Sequence, residues 1–491
     1  MATPNIAFES GGDLLALFTR AMEKLGGLKN CLKENQPTIV AISMPFPEPA
    51  PVTTSFPLLR QLLQELKTLN LPQIQVCAVP DWGFNAQKVA HTLGISEFVK
   101  QCGAEFTAIN QNGEAIPSNS SVKYPLYPLI SKATNYISLP SIRFDPILGF
   151  FGACGTNYQF LFKPKKRSRN INFGFLLNRK KYSRSNWAVC EKNPEDIHKK
   201  FVDVILGSLS TRVPDLTVVD GSQVLVGQGP LLLTGGQPYS GNFLVAGNNP
   251  LAIDKCLAEK LGFKMDETLL LKEITQENLL DLQIPQEENT TGSSSSSQNP
   301  PPQKANNNLT SGLPSRLTVE QGKTCVLCQQ NLRLLVDIMS NIGAKDLTYL
   351  EELNFISGIA PPQPPSLRNI CLFGDCAINS TKKYEFHKIK QVKAAKKEKE
   401  KTPKKEKEKA AKKQKEKAPK EKKEKVSVKR NKSIVKIPGC PPSPLEVLQR
   451  LLQQYSGKNL PAVSFWLQVW KSLQNKSRNT LPKRRQGDGK P

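Results

Sequence analysis

Thirty-three residues from Lys393 to Lys425, KAAKKEKEKTPKKEKEKAAKKQKEKAPKEKKEK, contain no aromatic residue and no valine, leucine, isoleucine or methionine. Such a tract has nothing to bury, so it cannot repay the entropy of ordering itself. The stretch from Gln286 to Gly312, QEENTTGSSSSSQNPPPQKANNNLTSG, has the same deficit in a Ser, Asn and Pro composition. These two tracts divide the 491 residues into separate foldable pieces. The expected order is an α/β domain over 1–285, a disordered linker over 286–312 and the first part of a four-cysteine module over 313–382. A disordered Lys/Glu-rich arm follows over 383–433, then the second part of the module over 434–456 and a basic tail with a short amphipathic helix over 457–491.

The charge follows the same division. Of the formal net charge of +26, about seventeen lie between Lys382 and Lys436. The arm therefore offers phosphates, in nucleic acid or on an acidic membrane surface, a place to bind. It has no aromatic residue to stack on a base, and its glutamates dilute the charge, so a plain charged spacer reads equally from the composition. The first twenty residues carry Glu9 and Asp13 and no basic leader ahead of an apolar run, and no apolar stretch approaches about 18 residues. The expectation is a cytoplasmic protein with no transmembrane segment. Eleven cysteines in such a chain point to thiols or metal ligands more than to a disulfide framework.

Before the linker, apolar and amphipathic runs alternate as in an α/β fold. PTIVAIS and IQVCAVP read as buried strands around the helix FPLLRQLLQELKTL, with Leu59, Leu62, Leu63 and Leu66 on one face. NYISLP, LTVVDG, SQVLVGQG and GNFLVAG read as further strands, and NPLAIDKCLAEKLGF as a helix. Near the end, SFWLQVWKSLQ offers Phe465, Trp466, Val469 and Trp470 as the apolar face of a short helix.

The cysteines carry the strongest chemical signal. CVLC supplies Cys325 and Cys328, CLFGDCAIN supplies Cys371 and Cys376, and GCPPSP supplies Cys440. Four thiolates are what an iron-sulfur cluster or a structural zinc ion requires. The expected ligands are Cys325, Cys328, Cys376 and Cys440; Cys371, inside an apolar run, reads as a core residue held in reserve. A cysteine followed by proline suits a cluster loop, because proline stiffens the turn and removes a competing donor. A zinc ribbon more naturally closes on a second C-x2-C. A [4Fe-4S] cluster is the expected cofactor, with zinc and unrelated thiols as the alternatives. Ser443 to Glu446 form an S-x-x-E capping box with Pro444 at the first helical position, so Cys440 lies in a turn just before a helix N-terminus. The positive end of the helix dipole favours a thiolate there.

IPGCPPSPLEVLQRL resembles the loop and helix carrying the last cysteine ligand of the proximal-cluster subunit of respiratory complex I and of hydrogenase small subunits. Across the first domain, LTVVDGSQVLVGQGP and NFLVAGNNPLAIDKCLAEKLGF are similar to the signature of the family catalogued as domain of unknown function 362. Members of that family often add a cysteine-cluster module. Asp220, Gly221, Gly229, Pro230, Gly247, Pro250, Ala252 and Asp254 match its pattern; Asp220, Gly229 and Asp254 are the candidate ligand-binding residues, the two aspartates because they fall at the carboxyl ends of strands where a cation or ligand could bind. The chain departs from the family where a strand lysine gives way to AISMPF and where a Lys-Thr-His element gives way to SIRFDP and GFFGACGTN.

Other motifs fall short. Gly227-Gln228-Gly229 lacks the third glycine of a dinucleotide fingerprint, and QGKTC lacks the leading glycine of a phosphate loop. Three histidines, His91, His198 and His387, leave little for a histidine triad. From their local setting, Asp220 and Asp254 read as turn and helix caps in preference to ligands. Two functions remain: an iron-sulfur protein exchanging single electrons with a partner or substrate, or a non-enzymatic nucleic-acid or protein binding module with a structural metal site. The sequence leaves open whether the protein is an enzyme.

Overall fold

The computed structural model describes residues 6–109, 124–161, 193, 195–276, 302–305, 308–310, 312–314, 316–349, 352–367, 369–387, 434–455 and 460–474. The lysine-rich tract, most of the expected linker and the last seventeen residues lie outside these. The protein has an α/β fold built on three sheets.

Among the described residues the first unit contributes eleven strands. They are β1 (Ile6–Ser10), β2 (Thr38–Ile42), β3 (Ile74–Ala78), β4 (Glu105–Ala108), β5 (Asn135–Leu139), β6 (Arg143–Asp145), β7 (Gly149–Phe151), β8 (Leu216–Asp220), β9 (Val224–Gly227), β10 (Gly236–Tyr239) and β11 (Phe243–Gly247). The main sheet has the order β1-β11-β8-β5-β2-β3-β4. Its segment from β8 to β4 is parallel, and β11 runs antiparallel to both β1 and β8. Every residue of β2, β5, β8 and β11 is buried, which is why these strands read as largely apolar runs without polar alternation; the polar residues they carry, Thr38, Asn135, Ser138, Thr217 and Asp220, are buried with them. The helix Phe56–Thr68 covers one face with Leu58, Leu59, Leu62, Leu63 and Leu66. From β2 the chain steps to β3 and β4 on one side, and from β5 it steps to β8 on the other. The strand order therefore reverses between β2 and β5.

The glycine-stopped strands expected near residue 220 divide between two sheets. β8 and β11 join the main sheet, whereas β9 belongs to a small sheet of order β10-β9-β6-β7. Gly229 makes that crossing tight: a Cβ on it would lie 1.9 Å from the Phe144 carbonyl oxygen.

The second unit is a four-stranded, wholly parallel sheet with strands in sequence order: β12 (Leu317–Gln321), β13 (Leu353–Ser357), β14 (Ile370–Phe373) and β15 (Ile434–Ile437). Helices Val326–Asn341, Gly374–Ser380 and Pro444–Tyr455 follow β12, β14 and β15. Phe386, beyond the boundary expected at Lys382, is buried against Ile370 and Leu372 and extends the unit. Inside the expected linker, Gln303 accepts from the Gly227 amide at 2.8 Å, Asn308 accepts from Arg333 at 3.0 Å, and Leu309 is buried.

The two units share one contiguous apolar cluster, which runs from Leu17 and Leu58 through Leu335 to Trp470. The terminal helix Pro461–Leu473 spans them. At its start, Asp346 accepts from the amides of Ala462 at 3.0 Å and Val463 at 2.7 Å. At its end, Trp470 packs edge-on against Phe46 and Trp82, and the Asn85 amide donates to Leu473. This docking corrects the expected apolar face. Val463, Leu467 and Trp470 are buried, whereas Phe465 is 60% and Trp466 38% exposed, because the cap and the aromatic cluster fix the helix rotation from both ends.

Candidate metal centre

In a parallel sheet every carboxyl end lies on the same edge, and this one fact gathers the cysteines. Cys325 comes four residues after β12, Cys376 three after β14 and Cys440 three after β15. Each also stands close to the start of the next helix. Cys325 is the N-cap of Val326–Asn341, Cys328 lies in that helix's first turn, and Cys376 is the third residue of Gly374–Ser380. Two prolines and a serine separate Cys440 from Pro444, where the helix Pro444–Tyr455 begins. Three helix N-termini therefore face the thiols with their positive dipole ends.

The other three thiols act on Cys328. Cys328 is pushed well above its ordinary value, first by its hydrogen bond with Cys325, then by burial, then by the charges of Cys325, Cys440 and Cys376. Gathering four thiolates without a cation is therefore costly. Cys325, Cys328 and Cys376 are buried, and Cys440 is half-buried.

Neighbouring groups hold the arrangement. The Asp375 amide donates to the Gly439 carbonyl at 3.0 Å, and the Gly439 amide donates back to Asp375 Oδ1 at 3.1 Å, which ties the Cys376 helix to the Cys440 turn. Asn331 Nδ2 donates to the Pro442 carbonyl at 3.0 Å, which ties that turn to the Cys325 helix. Gly439 has φ of 149°, and a Cβ there would meet Pro442 Cα at 2.7 Å, so the turn requires glycine. The Val326 amide donates to His198 Nε2 at 3.1 Å, joining the site to the first unit.

Cys371 is elsewhere. It lies inside β14, paired with Phe355 and Val435, and is fully buried, with its thiol pushed up by desolvation.

Asp220, Gly229 and Asp254 have partners within the first unit. Asp220 accepts from Ser55 Oγ at 2.5 Å and from the Ser222 amide at 2.8 Å, bracing the entry to the helix Phe56–Thr68. Asp254 accepts from the Ala153 amide at 2.6 Å and the Cys154 amide at 3.0 Å, and so caps the helix Ala153–Gln159. Burial raises Asp254 to about 6. A Cβ on Gly152 would lie 2.2 Å from Asp254 Oδ1, so the cap also depends on a glycine opposite.

With this geometry in place, comparison with known proteins gives the first unit a relationship. Residues 39–259 match the family described as Domain of unknown function (DUF362). The matched stretch begins in β2 and ends in the helix Pro250–Lys260, so it covers the main sheet from β2 to β11 and stops before the thiol module. No curated protein matches the chain. Among solved structures it is similar to the lactate racemase apoprotein from Thermoanaerobacterium thermosaccharolyticum, at 11% identity and a TM-score of 0.32, over 71% of this chain and 68% of that one. At that score the likeness carries no argument about function.

Sequence reasoning missed the groups between the units. His198 was visible only as one of three histidines, and Arg143, Asp145 and Gln330 carry no motif. The one sequence sign was SIRFDP, where the family pattern has Lys-Thr-His.

Proposed function

We propose that the protein is an iron-sulfur protein in which Cys325, Cys328, Cys376 and Cys440 hold a [4Fe-4S] cluster. The carrying observation is that Cys325, Cys328, Cys376 and Cys440 all follow strand ends at the carboxyl edge of one parallel sheet, each at or near a helix start. The donor set is all sulfur, which fits iron-sulfur chemistry or a zinc ion held by four thiolates. Ligand pattern separates the two: a zinc ribbon more naturally closes on a second C-x2-C, which neither the Cys376 nor the Cys440 loop supplies.

Such a cluster supplies one-electron chemistry. This chain's residues bury the thiols, aim three helix N-termini at them and fix the Cys440 turn through Asp375 and Asn331. The partner in electron exchange is a protein or a substrate carried by the first unit. The test is anaerobic purification followed by iron, sulfide and zinc analysis. About four iron and four sulfide per chain, with a chromophore bleached by dithionite, are expected. One zinc per chain without sulfide would overturn the proposal.

The charge of the lysine tract favours a second reading, a binding protein whose metal only staples the module. It requires RNA binding that weakens steeply with salt and disappears when Ala394 to Lys425 are removed.

A further inference from the structure

We infer that the first unit holds a second site, separate from the thiols, in which a small organic carboxylate is seated on Arg143 where the strand order reverses. In open parallel sheets, the loops leaving the carboxyl ends of the two strands at such a reversal diverge and form the ligand crevice. Here the strands are β2 and β5. Their loops are joined by Ser141 Oγ, which lies 2.9 Å from both Ser43 Oγ and the Val52 carbonyl. Arg143 comes two residues later, at the start of β6.

Arg143 is only 4% exposed, yet its Nε has no hydrogen-bond partner among the described residues. Its guanidinium lies over the Phe151 ring, 4.9 Å from the centroid. Leaving a charged donor buried and unmet is expensive, and a planar fork is the natural partner of a carboxylate. Burial lowers Arg143 to about 10, with Asp81, Asp145 and Glu48 opposing the fall, so it stays cationic at neutral pH.

Two of these carboxylates are already engaged elsewhere. Glu48 accepts from the amides of Leu232 at 2.8 Å and Leu233 at 3.0 Å. Asp145 accepts from the amides of Ile147 and Leu148 and from Gln330 Nε2. They contribute field without completing the guanidinium. That field disfavours a bare anion, so the ligand carries a hydroxyl or amine donor beside its carboxylate to face the acidic groups. Gln330 is two residues beyond Cys328, about 3 Å along the helix axis. The site therefore adjoins the thiol-bearing helix, but it does not depend on the thiols holding a cluster.

The test is thermal unfolding of the full chain titrated with glycolate, glycine and propionate. In the parent, glycolate or glycine raises the midpoint progressively with concentration, and more than propionate does. Arg143→Lys keeps the buried charge without the fork and weakens the response at least tenfold; Arg143→Gln abolishes it. If the Gln variant does not fold, the Lys variant decides. No response in the parent, or an unchanged response in Arg143→Lys, overturns the site, and an equal response to propionate overturns the donor requirement. Iron is measured in the same samples. A missing response with iron retained counts against this site alone, and absent iron with the response retained counts against the cluster alone.

Discussion

The backbone amide of Val326 donates to Nε2 of His198 across the boundary between the two units, at 3.1 Å. Val326 follows Cys325 and opens the helix that carries two of the four thiols. His198 is half-buried, and desolvation lowers it below its ordinary value, so the neutral ring is the acceptor at neutral pH. His198→Ala leaves that amide without its acceptor and is expected to cost about 1–3 kcal/mol. Alkylation of Cys325 and Cys328 in metal-free protein should accelerate, with His198→Gln recovering part of the protection through its carbonyl. Equal labelling rates in parent and Ala variant would show that the contact does not hold the helix.

Asp254 makes stability depend on pH. Its folded value, about 6, is above the ordinary 3.8. The folded state therefore binds the proton more tightly than the unfolded chain. The resulting stabilisation is complete below about pH 4 and is lost as pH rises through 6. A rise of this size corresponds to about 3 kcal/mol. Asp254→Asn cannot titrate, so relative to the parent it should gain stability between pH 4 and 7. Denaturant unfolding of both proteins across that range tests this, and a constant difference would contradict it.

The terminal helix offers a paired comparison. Trp470→Ala removes a buried ring from the cluster with Phe46 and Trp82 and should cost about 3–5 kcal/mol. Phe465→Ser, on the exposed side, should change stability by less than about 0.5 kcal/mol. Thermal melts showing the opposite ranking would place the helix with its other face inward.

The legible parts of this fold were those where one residue pattern has one physical meaning. The largely apolar strands β2, β5, β8 and β11 and the leucine face of Phe56–Thr68 could be read directly, because burial on both faces or on one stripe leaves that pattern. Cys371 could be set apart as a core residue because it sits in an apolar strand run, and it lies inside β14. The helix holding Trp470 was legible, but its inward face was not: an aromatic run at helical spacing allows several rotations, and only Asp346 and the distant Phe46 and Trp82 select one. β6, β7 and β10 were hidden because three- and four-residue strands carry too little periodicity. Arg143 was hidden because its isolation in the interior arises from strands far apart in the chain.

The most direct measurement is bound iron and acid-labile sulfide in three proteins purified anaerobically side by side: the parent, Cys440→Ala and Cys371→Ala. Cys371 is fully buried within β14, and Cys440 lies in the turn after β15, within electrostatic reach of Cys328. The proposed centre predicts about four iron and four sulfide per chain in the parent. It predicts nearly the same in Cys371→Ala and loss of most of both in Cys440→Ala. Equal iron and sulfide in the two variants would contradict it.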